Sequence, residues 1–177
     1  MVNFFYPLLE NPYRTKDINE GIKVLKSNNL TIGSKTLNFE RAFKKKLKLK
    51  NSLMVNSGSS ANLLALQCLI NPYRKKRLKR GDEVLIPTLC WSTSLWPIVQ
   101  SGLKPVFVDV DIFTLNIDLD DLKKKISKKT KAILLVHVLG NCTDMNELMK
   151  IKNKNDLLLI EDACESLGSK YNNKYLG

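Results

Sequence analysis

Short apolar runs alternate with helical patterns from Asn51 to the end of the chain, and this alternation limits the possible folds more than any other feature. Strands that alternate with helices are typical of a parallel sheet whose crossover connections are helical. The runs are almost continuously apolar, which suits strands covered on both faces. The sequence therefore predicts an α/β fold with a mostly parallel sheet. The predicted strands are Ser52–Asn56, Glu83–Pro87, Pro105–Val110, Ala132–Val138 and Leu157–Glu161.

The segments between these strands have helical patterns, and two of them begin at a residue that can cap a helix. Asp118 is expected to cap a helix that runs to Ile126, and Thr143 a helix that reaches about Lys152. The other two predicted helices cover Ala61–Ile70 and Thr93–Gln100.

Residues 1–50 differ from the rest because they predict helices and no strand. Asp17–Ser27 and Leu37–Leu47 have helical patterns, and Thr31–Ser34 forms a loop between them. We therefore divide the chain into an N-terminal helical arm, residues 1–50, and an α/β domain, residues 51–177. We expect this domain to be truncated, because the sequence stops soon after the fifth predicted strand.

The formal net charge of +12 raises the question of a nucleic-acid partner, because three basic clusters hold 18 of the 29 Lys and Arg residues. Lysine greatly outnumbers arginine, 24 to 5, whereas arginine is favoured for bidentate phosphate contacts. The chain also has 17 asparagines, so a general compositional bias explains the lysines equally well. We therefore expect solvated surfaces and no nucleic-acid partner, with a polyanion-binding domain as the alternative. The clusters are Arg41–Lys50, Arg74–Arg80 and Lys123–Lys131.

The cysteines and the single histidine, His137, predict no metal site, because no pair has the spacing of metal ligands. We expect four reduced and mostly buried thiols and a cytoplasmic protein. No apolar run reaches the roughly 18 residues of a membrane span, and Met1–Arg14 lacks the pattern of a signal peptide. The sequence thus predicts no membrane partner.

The segment Asn56-Ser-Gly-Ser-Ser-Ala-Asn62 lies between a predicted strand and a predicted helix. Gly58 lets the backbone approach a ligand closely, and the first N–H groups of a helix, with the hydroxyls of Ser59 and Ser60, can donate to a phosphate. The same pattern also occurs in ordinary helix caps, and the residues alone leave both interpretations open.

Asp162 directly follows the Leu157–Glu161 run, at the edge of the sheet where parallel α/β proteins bind ligands. A carboxylate in this place can cap a loop. It can also keep a pyridinium nitrogen protonated, which makes a pyridoxal ring an electron sink. Trp91 follows another predicted strand, so it either stacks on such a ring or packs beside Trp96. A phosphate cradle, a stacking ring and a nitrogen partner at one edge of the sheet together match a phosphorylated pyridine cofactor.

At these residues the sequence resembles the DegT/DnrJ/EryC1/StrS family of sugar aminotransferases and sugar dehydratases, which depend on pyridoxal 5'-phosphate (PLP). The resemblance runs from about Tyr6 to Gly177. It implies the large domain of a fold type I, aspartate-aminotransferase-type enzyme. The segments that carry it are Asn56–Leu63, Gly81–Pro87, Trp91–Thr93, Pro105–Asp111, Lys131–Asn141 and Ile160–Gly168.

Within that family the chain is most similar to the GDP-4-keto-6-deoxymannose 3-dehydratases. The resemblance implies PLP- or pyridoxamine-phosphate-dependent removal of the C3 hydroxyl of a nucleotide-linked 4-keto-6-deoxy sugar, in lipopolysaccharide biosynthesis, by a homodimer. An aminotransferase that makes an amino sugar is the alternative. The segments that distinguish this branch are Asn71–Pro87, Trp91–Ser94, Thr114–Asp118 and Glu161–Ser166.

The resemblance also implies roles for single residues. Gly58, Ser59 and Ser60 would bind the cofactor phosphate, Trp91 would stack on the ring, and Asp162 would pair with its nitrogen. Glu165, implied as a second catalytic residue, would lie beside the ring, and Thr31–Ser34 near the sugar nucleotide. We interpret His137 as a core or supporting histidine.

One expected residue has no match in the chain. The family's catalytic position, lysine in the aminotransferases and histidine in the dehydratases, falls beyond Gly177, and neither Lys170 nor Lys174 has its sequence context. We therefore expect an N-terminal fragment that is inactive alone. The alternative from another class is a binding or interaction module without catalysis.

Overall fold

The computed structural model describes residues 11–177, which form two compact units, residues 11–54 and Val55–Gly177. In the first unit, α1 spans Thr15–Lys26 and α2 spans Ser34–Leu47. Residues Met1–Glu10, which include most of the segment examined for a signal peptide and the start of the family resemblance, lie outside the described residues.

The second unit is built on a parallel sheet of four strands in the order β2-β1-β3-β4. Helices connect these strands in the chain, as the alternating pattern predicts, and a short antiparallel pair, β5 and β6, follows them. The strands are β1 (Glu83–Pro87), β2 (Lys104–Val108), β3 (Thr130–Val136), β4 (Leu158–Asp162), β5 (Lys170–Tyr171) and β6 (Lys174–Tyr175). The helices are α3 (Gly58–Ile70), α4 (Ser92–Gln100), α5 (Leu119–Lys125) and α6 (Met145–Lys154).

Helices cover both faces of this sheet, so the unit has three layers. On one face, Leu66 of α3 and Ile98 of α4 pack with Leu134 and other buried strand residues. On the other face, Leu122 of α5 and Leu148 of α6 pack with a second buried cluster. Residues next to each other in a strand point to opposite faces, and this explains the continuous apolarity of β1 and β3. The α/β prediction is therefore confirmed.

The strand predicted at Ser52–Asn56 is wrong. Within residues 11–177 this segment pairs with no other strand, and Leu53 and Met54 are 70% and 52% exposed. The N–H of Met54 donates to the Glu40 side chain instead. An apolar run becomes a strand only where a neighbour completes its backbone hydrogen bonds, so the run alone was insufficient evidence.

One of the two predicted helix caps is confirmed, and the other lies one residue further along the chain. Asp118 caps α5 by accepting hydrogen bonds from the N–H groups of Asp120 and Asp121. The cap of α6 is Asp144 and not Thr143, because the Asp144 carboxylate accepts hydrogen bonds from the N–H groups of Asn146 and Glu147. Among the described residues, no helix combines the length and apolarity that crossing a membrane requires.

Candidate cofactor site

Asp162 is the last residue of β4, and its carboxylate joins this strand to two helices of the sheet's α3/α4 face. Oδ2 accepts hydrogen bonds from the side-chain amide of Asn62, at 2.7 Å, and from the hydroxyl of Ser94, at 3.0 Å. Asn62 and Ser94 lie in the N-terminal parts of α3 and α4, and both are buried. Oδ1 accepts one bond, from the N–H of Cys164 at 3.2 Å. Because a carboxylate oxygen has two lone pairs, Oδ1 can accept another donor.

These contacts favour the ionised carboxylate. Partial burial raises the pKa of Asp162, but the hydrogen bonds from Asn62, the Cys164 N–H and Ser94 lower it more, so the pKa lies below its ordinary value. A carboxylate that is charged at neutral pH is the form that can hold a proton on a pyridine nitrogen.

Asn62 gives the first testable prediction. Replacing Asn62 by leucine removes the shortest hydrogen bond to Asp162, and we expect the pKa of that carboxyl to rise and the free energy of unfolding to fall by about 1 to 3 kcal/mol. Because the native pKa is depressed, the carboxylate stabilises the fold above about pH 4 and loses this effect as the pH falls through the native pKa. In the variant that loss begins at a higher pH. Carbon NMR titration of Asp162 and acid unfolding measure the two effects.

Gln67→Leu is the matched control, because Gln67 is an exposed amide on the same helix that, within residues 11–177, donates only to Ser101. We expect it to leave the Asp162 titration unchanged. An equal shift in both variants, or none in Asn62→Leu, would contradict the role of Asn62.

The phosphate cradle is predicted at the N-terminus of α3, where the structure shows one feature that the sequence did not. Ser57 caps the helix, and its hydroxyl oxygen accepts the N–H of Ser60 at 3.2 Å. That N–H is therefore already used, whereas within residues 11–177 the N–H groups of Gly58 and Ser59 have no acceptor. Both residues are exposed. Free N–H groups at the positive end of a helix are suited to an anion.

Trp91 immediately precedes α4 and follows the end of β1 by four residues. Its side chain is 74% exposed, and that of Trp96 is 57% exposed, so neither indole belongs to the core. The packing alternative is therefore wrong for Trp91, and its indole is free to stack on a planar ligand. Stacking itself stays a prediction.

Two other predicted residues have structural partners of their own. Glu165 is exposed, and its carboxylate accepts the N–H of Leu139 at 2.7 Å, which joins the segment after β4 to the turn after β3. His137 is fully buried, with Nε2 2.9 Å from a carboxylate oxygen of Glu161. The hydrogen bond from His137 lowers the pKa of Glu161. This confirms His137 as a core histidine, while the catalytic role of Glu165 stays a prediction.

The thiols are less buried than predicted. Cys68 and Cys164 are exposed and Cys90 and Cys142 are half-buried, so the expectation of mostly buried thiols is wrong. Partial burial and the neighbouring Asp162 carboxylate raise the pKa of Cys164 to about 11, and the same two causes raise the pKa of Cys90. Both thiols thus remain protonated at neutral pH, which argues against a cysteine nucleophile at this site. The described residues also contain no cluster of side chains suited to a metal ion.

The sequence analysis assigned no role to Asn62 or Ser94. A weak signal existed, since Asn62 directly precedes the apolar run Leu63–Leu66 of α3, and buried polar side chains need partners. Thr31–Gly33, the predicted sugar-nucleotide loop, precedes α2 in the first unit, and Ser34 already belongs to that helix. Its role stays a prediction.

The donors and acceptors of the second unit fit a phosphorylated pyridine. Free N–H groups at the start of α3 suit the phosphate, the ionised Asp162 suits a protonated ring nitrogen, and the exposed indole of Trp91 suits the ring face. The hydrogen bonds from Asn62 and Ser94 bring the first turns of α3 and α4 to the carboxylate of Asp162.

Comparison with known proteins gives consistent matches over nearly the whole chain. The model of the DegT/DnrJ/EryC1/StrS aminotransferase family matches residues 12–177. GDP-4-keto-6-deoxy-D-mannose 3-dehydratase of Yersinia pseudotuberculosis is 44% identical over 177 residues, which are 100% of this chain and 44% of that protein. GDP-perosamine synthase of Vibrio cholerae is 37% identical over 139 residues, 78% of this chain and 36% of that protein.

A solved structure of the E. coli GDP-4-keto-6-deoxy-D-mannose 3-dehydratase, with bound hydrated PLP, has the same fold. Its TM-score is 0.91 at 42% sequence identity, and the match covers 98% of this chain and 44% of that one. The chain therefore spans less than half the length of the relatives that it matches.

Proposed function

The chain belongs to the DegT/DnrJ/EryC1/StrS aminotransferase family, and on this basis we propose that the whole protein removes the C3 hydroxyl of a GDP-linked 4-keto-6-deoxy sugar with PLP or pyridoxamine phosphate. The observation that carries the proposal is the 44% identity with a 3-dehydratase across all 177 residues. The ionised Asp162 at the carboxyl end of β4 supplies the chemical basis.

In this proposal each residue of the site has one task. The N–H groups of Gly58 and Ser59 hold the phosphate, and the Trp91 indole covers one face of the ring. Bound in this way, the cofactor supplies an electron sink for carbanion chemistry at the sugar. Asp162 keeps the proton on the ring nitrogen, and Asn62 and Ser94 keep Asp162 charged and in place.

A product assay tests the proposal. The whole protein is incubated with PLP, glutamate and GDP-4-keto-6-deoxymannose, and the sugar product is identified by mass spectrometry. We expect a sugar that has lost the C3 oxygen. An amino sugar as the only product would contradict dehydration and support the aminotransferase alternative, which the 37% identity with a GDP-perosamine synthase favours.

The 177-residue chain is assayed in parallel. We expect no turnover from it, since none of its lysines or histidines matches the catalytic position of the family. If neither form of the protein turns over any nucleotide sugar, the module without catalysis becomes the better interpretation. The cytoplasmic location and the homodimer stay predictions.

A further inference from the structure

Charge is unevenly distributed between the two ends of the parallel sheet. In this topology every segment that leads from a helix into a strand lies at the amino end of the strands, and every segment that follows a strand lies at the carboxyl end. The amino-end segments contain eight Lys and Arg and two acidic residues, whereas the carboxyl-end segments contain no Lys or Arg and five acidic residues. The amino-end segments are residues 71–82, 101–103, 126–129 and 155–157, and the carboxyl-end segments are residues 88–91, 109–118, 137–144 and 163–169.

The four amino-end segments form one continuous surface, because residues 71–83 contact each of the other three segments. The N–H of Gly81 donates to the carbonyl of Gly102 at 2.9 Å, and the N–H of Glu83 donates to the carbonyl of Lys129 at 2.9 Å. Lys76 forms an ion pair with Asp156. We call this surface the amino-end face.

Most of the charge on the amino-end face is available to a partner. Within residues 11–177, Lys76 is the only one of its eight basic residues that forms an ion pair. All eight basic side chains are exposed, and so is Tyr73, which directly precedes Arg74 and is 95% exposed. The eight residues are Arg74, Lys75, Lys76, Arg77, Lys79, Arg80, Lys128 and Lys129.

We propose that the amino-end face docks the protein on the surface of an anionic membrane. Lysine, which supplies five of the eight charges, is a point charge suited to a lipid surface, and an exposed tyrosine is typical of the membrane interface. Each basic residue near an anionic leaflet strengthens binding roughly fivefold. The acidic carboxyl end is repelled by the same membrane, so the candidate cofactor site faces away from it.

Nucleic acid is the less favoured partner. The face has one exposed aromatic side chain, whereas single-stranded nucleic acid is bound by several aromatics in succession. Only three of the eight basic residues are arginines, the residue type that best recognises phosphate in two-point contacts. The prediction of no membrane partner rested on the lack of a long apolar run, and the sequence does not show that separate lysine clusters lie at the same end of a sheet.

Vesicle sedimentation tests the proposal with the 177-residue chain. We expect binding to vesicles of equal parts phosphatidylcholine and phosphatidylglycerol at about 0.05 M salt, little binding to phosphatidylcholine alone, and loss of binding at about 0.5 M salt. A face variant changes Lys75, Arg77, Lys79, Lys128 and Lys129 to glutamine, and we expect it to bind at least about 100-fold more weakly. It keeps three residues with structural contacts: Arg74, whose Nε donates to the carbonyl of Lys76, Lys76, which is paired, and Arg80, whose stem packs against Gly102.

The matched control changes five exposed lysines of the first unit to glutamine and lowers the net charge by the same amount. We expect its affinity to fall less than about threefold, because these residues lie outside the amino-end face. The changed residues are Lys44, Lys45, Lys46, Lys48 and Lys50. Circular dichroism checks that the variants fold, and the double variant Lys75→Glu, Lys79→Glu replaces the face variant if it does not.

Several results would overturn the proposal. They are equal losses in the face and control variants, equal binding to neutral vesicles, tighter binding to duplex DNA than to anionic vesicles, and salt-reversible self-association without vesicles. The assay involves neither Asp162 nor the cofactor, so its outcome is independent of the proposed function.

Discussion

Replacing Asp162 by asparagine in the whole protein is expected to lower kcat by a factor on the order of 10³, while cofactor affinity changes little. The amide has nearly the same size and can still accept a hydrogen bond from Ser94. It has no negative charge, however, and cannot keep a proton on a pyridine nitrogen. The N–H groups of Gly58 and Ser59 and the Trp91 indole are untouched, so the contacts proposed for the phosphate and the ring face remain. Turnover and absorbance titration with PLP measure the two quantities.

Asp109→Asn is the control for this experiment. Asp109 directly follows β2, and its side chain is exposed. Within the described part of the chain, its carboxylate accepts a hydrogen bond only from the N–H of Val110. We expect wild-type kcat from it. Turnover that survives in Asp162→Asn would contradict the electron-sink role, and a loss of cofactor binding there would assign Asp162 to binding.

Replacing Leu134 by alanine is expected to reduce the free energy of unfolding by about 2 to 5 kcal/mol. Leu134 is fully buried in β3, between β1 and β4, and packs with residues of the sheet's α3/α4 face. It lies opposite Ile160 of the strand that ends at Asp162. The lost side chain leaves a cavity that its close-packed neighbours cannot fill. Urea unfolding of the 177-residue chain, followed by circular dichroism, measures the change.

Leu64→Ala is the control, because it is the same substitution at a position on α3 that is 39% exposed. We expect a change within about 0.5 kcal/mol. If the two variants lose similar stability, Leu134 does not contribute to the core as its burial indicates.

The sequence predicted those parts of the fold that depend on local pattern. Glu83–Pro87 was predicted with its correct bounds, because a short, nearly continuous apolar run favours a strand covered on both faces, and all five residues are buried in the structure. The Asp118 cap was predicted because one carboxylate can satisfy the first free N–H groups of a helix. Ser52–Asn56 has an equally apolar run, yet strand formation depends on a pairing partner that local pattern does not reveal.

The sequence predicted where the candidate site residues lie on the sheet, but it did not predict which side chains they contact. Asp162 could be placed at the sheet edge because it follows an apolar run. Its bonds to Asn62 and Ser94 join residues 100 and 68 positions apart in the chain, so only the tertiary structure shows them. The sequence likewise did not show that the Ser57 cap uses the N–H of Ser60, because the motif has three serines close together and nothing in it indicates which one caps the helix.

The carboxylate of Asp162 accepts hydrogen bonds from side chains of two helices, α3 and α4. This arrangement links the affinity for a ligand to the stability of the fold in acid. A proton taken up by Asp162 weakens its attachment to α3 and α4 together, so acid should loosen both helix starts in one step. By thermodynamic reciprocity, any molecule that binds only the charged form of Asp162 delays that step to lower pH. The loaded protein should therefore tolerate acid better than the empty one, by an amount that grows with ligand concentration.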